Sequence, residues 1–189
     1  MGERIVQTVY FQKRGPENTD RTLEIAESRA GELGIRTMVV ATTRGNTGVK
    51  AVKRFKGLET VVVTHSTGLN EPNIQKLTSE NRAAIERDGG KILTCTHAFA
   101  GVNRAVRIKF GTYELNEIIA FALRTLGQGL KVCVEIALMA ADAGLVKVGD
   151  PCITVAGSGS GADTAVVLTP ANTQTFFDLR VHEILCKPY

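Results

Sequence analysis

The 189-residue sequence lacks several features that would each assign a protein to a class. It contains no tryptophan, only five prolines and only three histidines. No apolar run approaches the roughly 20 residues that a transmembrane helix needs, so we expect no contact with a membrane. The N-terminal residues include Glu3 and Arg4 and form no long apolar stretch, which argues against a signal peptide and favours a cytoplasmic protein.

Cysteine is scarce, and no two cysteines form a Cys-x-x-Cys pair. The four positions are Cys95, Cys133, Cys152 and Cys186. Each lies in an apolar or strand-like context, which predicts reduced and mostly buried thiols rather than a disulfide framework. The three histidines do not have the spacing of zinc ligands, so we expect no metal site.

The formal net charge of +4 indicates an anionic partner only weakly. The densest basic stretch, residues 50–56, also carries Val52 and Phe55, which is the pattern of a helix with one solvated and one buried face. Binding of nucleic acid would need a clustered basic stripe, preferably with exposed aromatic side chains. We therefore expect a small anionic ligand and no nucleic acid.

Short continuous apolar runs, rich in Val and Ile, recur along the chain. They cover residues 5–11, 37–41, 60–63, 91–95, 152–156 and 164–168. Runs that do not alternate with polar residues are typical of strands in a sheet that helices cover on both faces. A further run at residues 178–186 predicts an additional strand at an edge of the sheet.

Helical patterns separate most of these runs. They cover residues 19–33, 45–56, 78–87, 114–126 and 129–143. Gly34 and the Gly89–Gly90 pair provide stop signals for the first and third of them. The last pattern is apolar nearly all round, which is typical of a helix buried in a domain or in an oligomer interface. A homo-oligomer therefore stays an open alternative.

Strands that alternate with helices predict a three-layer αβα domain with a mainly parallel sheet. Only the sequence GSGSGAD separates the runs 152–156 and 164–168. Because that gap is too short for a crossover helix, these two strands should form an antiparallel pair near the C-terminus. No linker or low-complexity stretch divides the chain, so we expect a single domain over residues 1–189.

Hydroxyl groups, imidazoles and glycines follow four of the predicted strands. Ligands of open α/β sheets bind beyond the carboxyl ends of the strands, where such residues would converge. The candidate ligand-binding residues are Thr42, Thr43, Arg44, Gly45, Asn46, Thr47, His65, Ser66, Thr67, His97, Phe99, Gly157, Ser158, Gly159, Ser160 and Gly161. Their convergence predicts one shared site.

The first of these loops, TTRGNTG at residues 42–48, lies between a predicted strand and a predicted helix. Gly45 can adopt a backbone conformation that is closed to other residues. The helix that follows offers unpaired N–H groups and the positive end of its dipole, both of which favour an anion. The loop therefore predicts a phosphate site, although its spacing differs from that of a P-loop. An ordinary N-cap turn is the alternative.

The second loop, GSGSGAD at residues 157–163, holds more glycine than a hairpin needs. Successive glycines allow several N–H groups to form a concave anion site, and they allow a flat ligand to approach the backbone closely. This favours a second ligand-binding loop. A mobile hairpin tip is the alternative.

His65 and His97 titrate near neutrality, so they could contact a ligand or act as acid and base. Along a strand Cys95 would point the same way as His97, which leaves open an enzyme that uses Cys95 or His97 on a phosphorylated substrate. A buried and unreactive thiol is the favoured alternative. Glu135 and Asp142 stand in an otherwise apolar helix, and the sequence does not decide their role. No catalytic residue is assigned.

Two families share parts of this pattern. The TTRGNTG turn resembles the phosphate loop of flavodoxins, which binds flavin mononucleotide (FMN). Over residues 19–168 the chain is similar to the C-terminal α/β domain of pyruvate kinase. In that domain a T-x-S-G-x-[ST]-A turn and a later G-D-x-[VI]-x-[VI]-x-x-G loop with G-S-G bind a sugar bisphosphate effector. Thr42, Gly45 and Thr47 match the first motif.

The second motif is matched by Gly149, Asp150, Ile153, Val155, Gly157 and the tripeptide Gly159-Ser160-Gly161. Arg44 and Gly48 depart from the first motif, the second loop is shorter, and no sequence of the pyruvate kinase barrel accompanies it. Phosphoryl transfer from phosphoenolpyruvate is therefore not expected.

The whole pattern is similar to a family of stand-alone proteins named for this domain, which implies FMN as cofactor and a phosphate-bearing ligand. Stacking on the flavin ring would then fall to Tyr10, Phe11, Phe99, Phe110 or Tyr113. A regulatory module that senses a sugar phosphate or a nucleotide is the alternative function.

Overall fold

The computed structural model describes residues 2–189. Within them the strands are β1 (Val9–Phe11), β2 (Thr37–Ala41), β3 (Glu59–Val63), β4 (Lys91–Leu93), β5 (Cys152–Ala156), β6 (Thr164–Thr169) and β7 (Arg180–Pro188). The α-helices are α1 (Thr19–Leu33), α2 (Asn46–Arg54), α3 (Ser79–Arg87), α4 (Val102–Phe110), α5 (Leu115–Arg124) and α6 (Gln128–Asp142). Two short 3₁₀ helices cover Pro16–Asn18 and Thr173–Asp178.

The strands form one sheet in the order β1-β7-β6-β5-β2-β3-β4. Strands β5, β2, β3 and β4 pair in parallel, and so do β1 and β7. Strand β6 is antiparallel to both of its neighbours, β5 and β7. The predicted mainly parallel sheet with an antiparallel pair near the C-terminus is therefore confirmed.

Helices cover both faces of the sheet, and β2 shows how the sequence produces this arrangement. Met38 and Val40 pack in a core with α1 and α2, whereas Val39 packs in a second core with α6. All three side chains are fully buried. Because successive residues of a strand point to opposite faces, a strand covered on both sides must be apolar throughout. This is the three-layer arrangement that the continuous apolar runs predict.

Local signals end α1 and begin α3 at the positions that the sequence predicts. Helix α1 stops at Gly34, whose φ of 67° lies in the left-handed region that glycine adopts without strain. Helix α3 begins after Thr78, whose side-chain oxygen accepts a hydrogen bond from the backbone N–H of Asn81 at 3.2 Å. Helix α6 is buried within this chain against β2, β5 and β6, so its apolar surface needs no oligomer to cover it.

One expectation from the sequence is wrong, and one helix is missed. The run at 178–186 is not an edge strand, because β7 lies between β6 and β1, and β1 forms the edge. The first half of β7 is exposed and polar, which gives it the appearance of an edge strand in the sequence. Helix α4 is not predicted from the sequence. It lies in the connection between β4 and α5, and its apolar side chains Val102, Ile108 and Phe110 are exposed and face no core. In the part of the chain that the structure describes, no helix is long and apolar enough to span a membrane.

Candidate functional site

A cavity of about 530 Å³ opens at the carboxyl ends of β5, β2, β3 and β4. Because these neighbouring strands are parallel, their following loops emerge at one edge of the sheet. Eleven of the sixteen predicted ligand-binding residues line this cavity: Thr42, Thr43, Arg44, Asn46, Thr47, His65, His97, Gly157, Gly159, Ser160 and Gly161. The structure thus brings the four strand ends together around one space.

Five of the predicted residues do not line the cavity: Gly45, Ser66, Thr67, Phe99 and Ser158. Gly45 faces Asn81 and Leu77 instead, and Ser158 is hydrogen-bonded to Asp163. Phe99 instead lines a neighbouring cavity, described below. Whether any of the sixteen binds a ligand stays a prediction.

The first loop, residues 42–47, is held by side chains at its base. The Gly45 N–H donates to Thr42 Oγ1 at 3.1 Å. Asn81 of α3 donates its side-chain N–H groups to the Arg44 carbonyl at 2.8 Å and to Asn46 Oδ1 at 2.9 Å. Gly45 has a φ of 104°, and a Cβ there would lie 2.4 Å from Asn81 Cβ. Glycine is therefore required at this position by the backbone and by the neighbouring helix.

The N-terminus of α2 leaves donors free toward the cavity. The first hydrogen bond of this helix runs from the Val49 N–H to the Gly45 carbonyl at 2.8 Å. Within the described chain the N–H groups of Asn46, Thr47 and Gly48 donate to no acceptor. Asn46 and Thr47 line the cavity. Free N–H groups at a helix N-terminus favour an anion, because the helix dipole adds partial positive charge there.

The second loop, residues 157–161, is fastened differently. Asp163 is fully buried and accepts hydrogen bonds from the Ser158 N–H at 3.2 Å, from Ser158 Oγ at 3.2 Å and from Thr164 Oγ1 at 2.9 Å. It also accepts from the Gly15 N–H at 3.2 Å. One carboxylate thus joins the loop to the segment that precedes α1.

The glycines of the second loop have different reasons to be glycine. A Cβ at Gly157 would lie 2.3 Å from the Gly161 carbonyl oxygen, and a Cβ at Gly161 would lie 2.4 Å from Pro16 Cα. A Cβ at Gly159 would meet no atom within 4 Å, and its φ is not in the left-handed region. The fold therefore does not require glycine at position 159. Because Gly159 lines the cavity, a ligand in close contact with its backbone would require it.

Helix α6 contributes a buried ion pair that the sequence analysis missed. Lys131 is 6% exposed and Glu135 is 4% exposed, and Lys131 Nζ lies 2.5 Å from Glu135 Oε2. Glu135 Oε1 accepts a hydrogen bond from the Phe99 N–H at 3.2 Å. Both side chains line the cavity. The available signal was a lysine and a glutamate four residues apart in an otherwise apolar helix, since charged side chains are rarely buried unless they are paired.

Two imidazoles meet beside this ion pair. The ring centroids of His65 and His97 are 5.4 Å apart, and His97 Nδ1 lies 4.0 Å from Glu135 Oε2. Burial lowers the pKa of His65, and repulsion by His97 lowers it further. Burial also lowers the pKa of His97, although Glu135 opposes that shift. Both rings are therefore mainly neutral at pH 7.

One ring nitrogen of His65 has no hydrogen-bond partner among the described residues. His65 Nε2 lies 3.4 Å from Thr43 Oγ1, whereas His65 Nδ1 is buried and has no partner within the described residues. Burial lowers the pKa of Lys131 as well, against the opposite effect of Glu135. The cavity thus combines free amides, two neutral imidazoles and a buried ammonium group, which together can bind an anion and transfer or hold a proton.

The sequence model of the family described as "Pyruvate kinase, alpha/beta domain" matches residues 20–168. That match covers well over half of the chain. The chain belongs to the pyruvate kinase α/β domain family. Its match includes both loops of the cavity and the helix that carries Lys131 and Glu135.

Solved structures similar to this pyruvate kinase α/β domain include three of pyruvate kinase from Cryptosporidium parvum. One is 14% identical with a TM-score of 0.42 and covers 81% of this chain and 23% of the other. A second is 14% identical with a TM-score of 0.37, covering 76% and 22%. A complex with ADP is 12% identical with a TM-score of 0.37, covering 88% and 23%. The chain thus spans about a quarter of the length of those pyruvate kinases.

The hypothesis of a Cys95–His97 pair is not supported in this pyruvate kinase α/β domain. Strand β4 ends at Leu93, so the two residues do not alternate along a strand as the sequence analysis assumes. Cys95 packs against the core beneath α6 and does not line the cavity, whereas His97 does. Burial raises the pKa of the Cys95 thiol, which disfavours the reactive thiolate.

Aromatic side chains do not line the main cavity within the described chain, apart from the two imidazoles. Of the five aromatic residues proposed for ring stacking, Phe99 and Tyr113 line a neighbouring cavity of about 390 Å³. Tyr10 packs edge-on against Tyr189, with ring centroids 5.8 Å apart. A flat ligand in the main cavity would instead contact the imidazoles and the aliphatic residues Val132, Ile136 and Met139.

Proposed function

We propose that this chain binds a small molecule through a phosphate group, and that FMN is the leading candidate. The observation that carries the proposal is the convergence of two glycine-containing loops on one cavity at the carboxyl edge of the parallel strands. The volume of about 530 Å³ falls in the range of small-molecule sites, roughly 300–1,000 Å³.

The phosphate would lie on the first loop. The free N–H groups of Asn46 and Thr47 would donate to it, and the α2 dipole would favour its negative charge. Thr43 and Thr47 add hydroxyl donors, and the exposed guanidinium of Arg44 adds charge at the mouth.

The rest of an FMN molecule has a suitable surface to lie on. The aliphatic side chains of α6 offer one apolar wall, and the glycines 157, 159 and 161 allow close approach to the backbone. The unpartnered Nδ1 of His65 would bond to a polar atom of the ligand. Bound FMN would supply hydride or electron transfer, and Lys131 would place a positive charge near it.

A sugar phosphate or a nucleotide is the second candidate. The absence of an aromatic side chain from the lining of the main cavity, among the described residues, favours this candidate over a flavin. The Thr and Asn hydroxyl and amide groups suit a polyhydroxylated ligand, because buried polar groups of a site need partners. The chain would then act as a sensor of that metabolite.

Spectroscopy of the purified protein separates the two candidates. Under the leading proposal the protein as isolated absorbs at the visible flavin bands, or an FMN titration quenches flavin fluorescence at one equivalent. FMN should also raise the melting temperature more than fructose bisphosphate or AMP does, because a ligand of the folded state stabilises it. A colourless protein that takes up no FMN, but is stabilised by a sugar phosphate or nucleotide, would support the second candidate instead.

The substitution Gly159→Ala sharpens the test. The fold accommodates this Cβ, so the melting temperature of the free protein should not fall, while FMN binding weakens by about tenfold or more. Gly31→Ala, in α1, is the matched control, because a Cβ there also meets no atom within 4 Å. Equal FMN affinity of the Gly159→Ala variant and the wild type would contradict the proposed pose.

A further inference from the structure

A second cavity, of about 390 Å³, lies beside the main one between α4, α5 and α6. His97, Lys131 and Glu135 line both cavities and form the wall between them. The remaining lining comes mostly from residues 99–124, the segment that connects β4 to α6. Neither loop of the proposed phosphate site reaches this second cavity.

The charges in the second cavity do not balance. Arg104, Arg107, Arg124 and Lys131 line it together with Glu117 and Glu135. Arg107 Nε pairs with Glu117 Oε1 at 2.7 Å, and Lys131 pairs with Glu135. Arg124 bonds only to the neutral side chain of Gln128 at 2.8 Å, and Arg104 makes no side-chain hydrogen bond in the described chain. Two guanidinium groups thus lack a counter-charge, which favours an anionic ligand.

The buried Lys131 strengthens this argument. An ammonium group has three N–H donors, and Glu135 is the sole acceptor that the described chain supplies to Lys131. At 6% exposure the other two donors have little access to bulk water, and unmet buried donors destabilise the structure. An anion in the second cavity would accept from Lys131 and from Arg104.

An unpaired carboxylate oxygen and three aromatic rings also line the second cavity. Glu117 Oε2 is buried without a partner, so it would accept a hydrogen bond from a hydroxyl or amino group of a ligand. Phe99, Tyr113 and Phe121 also line the cavity, and the rings of Tyr113 and Phe121 pack edge-on at 5.4 Å. Arg124 lies over the Phe121 ring at 4.9 Å. The ligand that suits this lining has an anionic head and an apolar, flat body.

We propose that the second cavity binds a small organic anion, a carboxylate or phosphate attached to an apolar body. Arg104, Arg124 and Lys131 bind the anionic head, and Tyr113 and Phe121 contact the body. The site goes beyond the proposed phosphate site, since it uses different loops. The shared wall of His97, Lys131 and Glu135 places the two ligands on either side of one proton-carrying cluster.

Nuclear magnetic resonance of tyrosine-labelled protein tests the site directly. The chain has three tyrosines, and of these Tyr113 lines the second cavity, whereas Tyr10 and Tyr189 pack on each other. Phenyl phosphate and benzoate are the probes, with inorganic phosphate for comparison. We expect a saturable shift of the Tyr113 signal, no shift of the other two, and weaker binding of inorganic phosphate because it lacks the apolar body.

Two variants test which residues bind the probe. Arg104→Ala should weaken phenyl phosphate binding by about tenfold, the loss of one charged hydrogen bond, without affecting folding, because Arg104 has no side-chain hydrogen bond to lose. Arg124→Ala should weaken binding similarly. Arg82→Ala, on the exposed face of α3, is the control and should bind as the wild type does.

The outcomes that would overturn this inference are distinct from those of the main site. Asn46→Ala, in the first loop, should leave the Tyr113 response unchanged; if it abolishes the response, the probes bind in the main cavity and the inference is wrong. A Tyr113 signal that does not move, or an Arg104→Ala/Arg124→Ala double variant that binds as the wild type does, would also overturn it. Inorganic phosphate that binds as tightly as phenyl phosphate would exclude the apolar part of the ligand.

Discussion

The two loops of the main cavity both combine glycine with hydroxyl side chains, but different groups hold them in place. The first loop is fastened by groups that leave its donors free: Asn81 bonds to the Arg44 carbonyl, and the N–H groups of Asn46 and Thr47 stay unpaired in the described chain. The second loop is held at Ser158, which donates both its N–H and its hydroxyl to the buried Asp163. In the described chain no acceptor receives a hydrogen bond from the N–H groups of Gly157, Gly159, Ser160 and Gly161.

This difference assigns different roles to the loops. Both loops present free amides, but the first loop adds the positive end of the α2 dipole, which attracts an anion. Beneath the second loop lies the buried carboxylate of Asp163, and a second negative charge placed close to it would be repelled. We therefore expect the phosphate on the first loop and a neutral part of the ligand under the second, rather than one anion shared between them.

The largest effect should come from Asp163→Ala. The substitution leaves four donors without their acceptor, at Gly15, Ser158 (two) and Thr164. Unmet buried donors cost about 1–3 kcal/mol each, only partly additive, so we expect the free energy of unfolding to fall by about 3–5 kcal/mol. Urea denaturation measures the change.

Two controls accompany that measurement. Asp163→Asn keeps one acceptor oxygen and should lose clearly less stability than the alanine variant. Asp88→Ala, on the surface beside Arg87, should change stability by less than about 0.5 kcal/mol. A loss below about 1 kcal/mol for Asp163→Ala would mean that this carboxylate does not fasten the second loop.

Gly45→Ala tests the base of the first loop and should have the next largest effect. The φ of 104° is strained for alanine, and its Cβ would meet Asn81 and Leu77 within 3 Å. We expect the free energy of unfolding to fall by about 2–3 kcal/mol, together with weaker phosphate binding. Gly89→Ala is a useful control, because its φ of 87° is strained as well but no atom lies within 4 Å. Equal losses in the two variants would show that contact with α3 contributes nothing.

The division of roles between the loops can be measured with ligand affinities. Thr47→Val removes a hydroxyl at the start of α2 and should weaken binding of a phosphate ligand by about tenfold, or about 1.4 kcal/mol. Ser160→Ala removes a hydroxyl from the second loop and should weaken it by less than about threefold. Isothermal titration with FMN or a sugar phosphate gives both values. The reverse order of effects would place the phosphate on the second loop.

The sequence was sufficient to predict a mainly parallel sheet and the convergence of its strand ends, though not which strand forms the edge beside β7. Val39 and its neighbours are apolar on both faces of β2, and that pattern has few alternatives once helices cover both sides. The stop at Gly34 and the cap at Thr78 depend on local geometry, which a single sequence contains. The positive φ of Gly45 is local in the same sense, whereas its close contact with Asn81 of α3 is not.

The rest could not be predicted, because it depends on contacts between distant segments. Nothing near Asp163 in the sequence indicates that it bonds to Gly15, 148 residues away. The spacing of Lys131 and Glu135 in an apolar helix indicates a pair, but it does not show that the pair faces the cavity. The edge position of β1 depends on its pairing with β7 at the opposite end of the chain. Such pairings are decided by the tertiary fold and not by propensity.

The smallest expected effect, and the one that bears most directly on the phosphate position, is a pH dependence of stability. Burial lowers the pKa of His65 and of His97 below the value of 6.5 for a free histidine. The unfolded chain therefore binds more protons than the folded chain as the pH falls below about 6.5, and the free energy of unfolding must decrease there. The contribution is fully present above pH 6.5 and is lost as the pH falls through the lowered pKa values.

A His65→Asn/His97→Asn double variant should show a flatter dependence between pH 7 and pH 5 than the wild type does. The effect of a bound phosphate ligand on this pH dependence then shows which of the two loops binds the phosphate. His65 lies 3.4 Å from Thr43 of the first loop, so a phosphate held there would favour the charged imidazole and reduce the loss of stability at low pH. If the phosphate instead lies over Asp163 and out of reach of His65, the loss of stability at low pH should stay unchanged. Thermal denaturation across this pH range, with and without a saturating phosphate ligand, therefore decides which loop holds the anion.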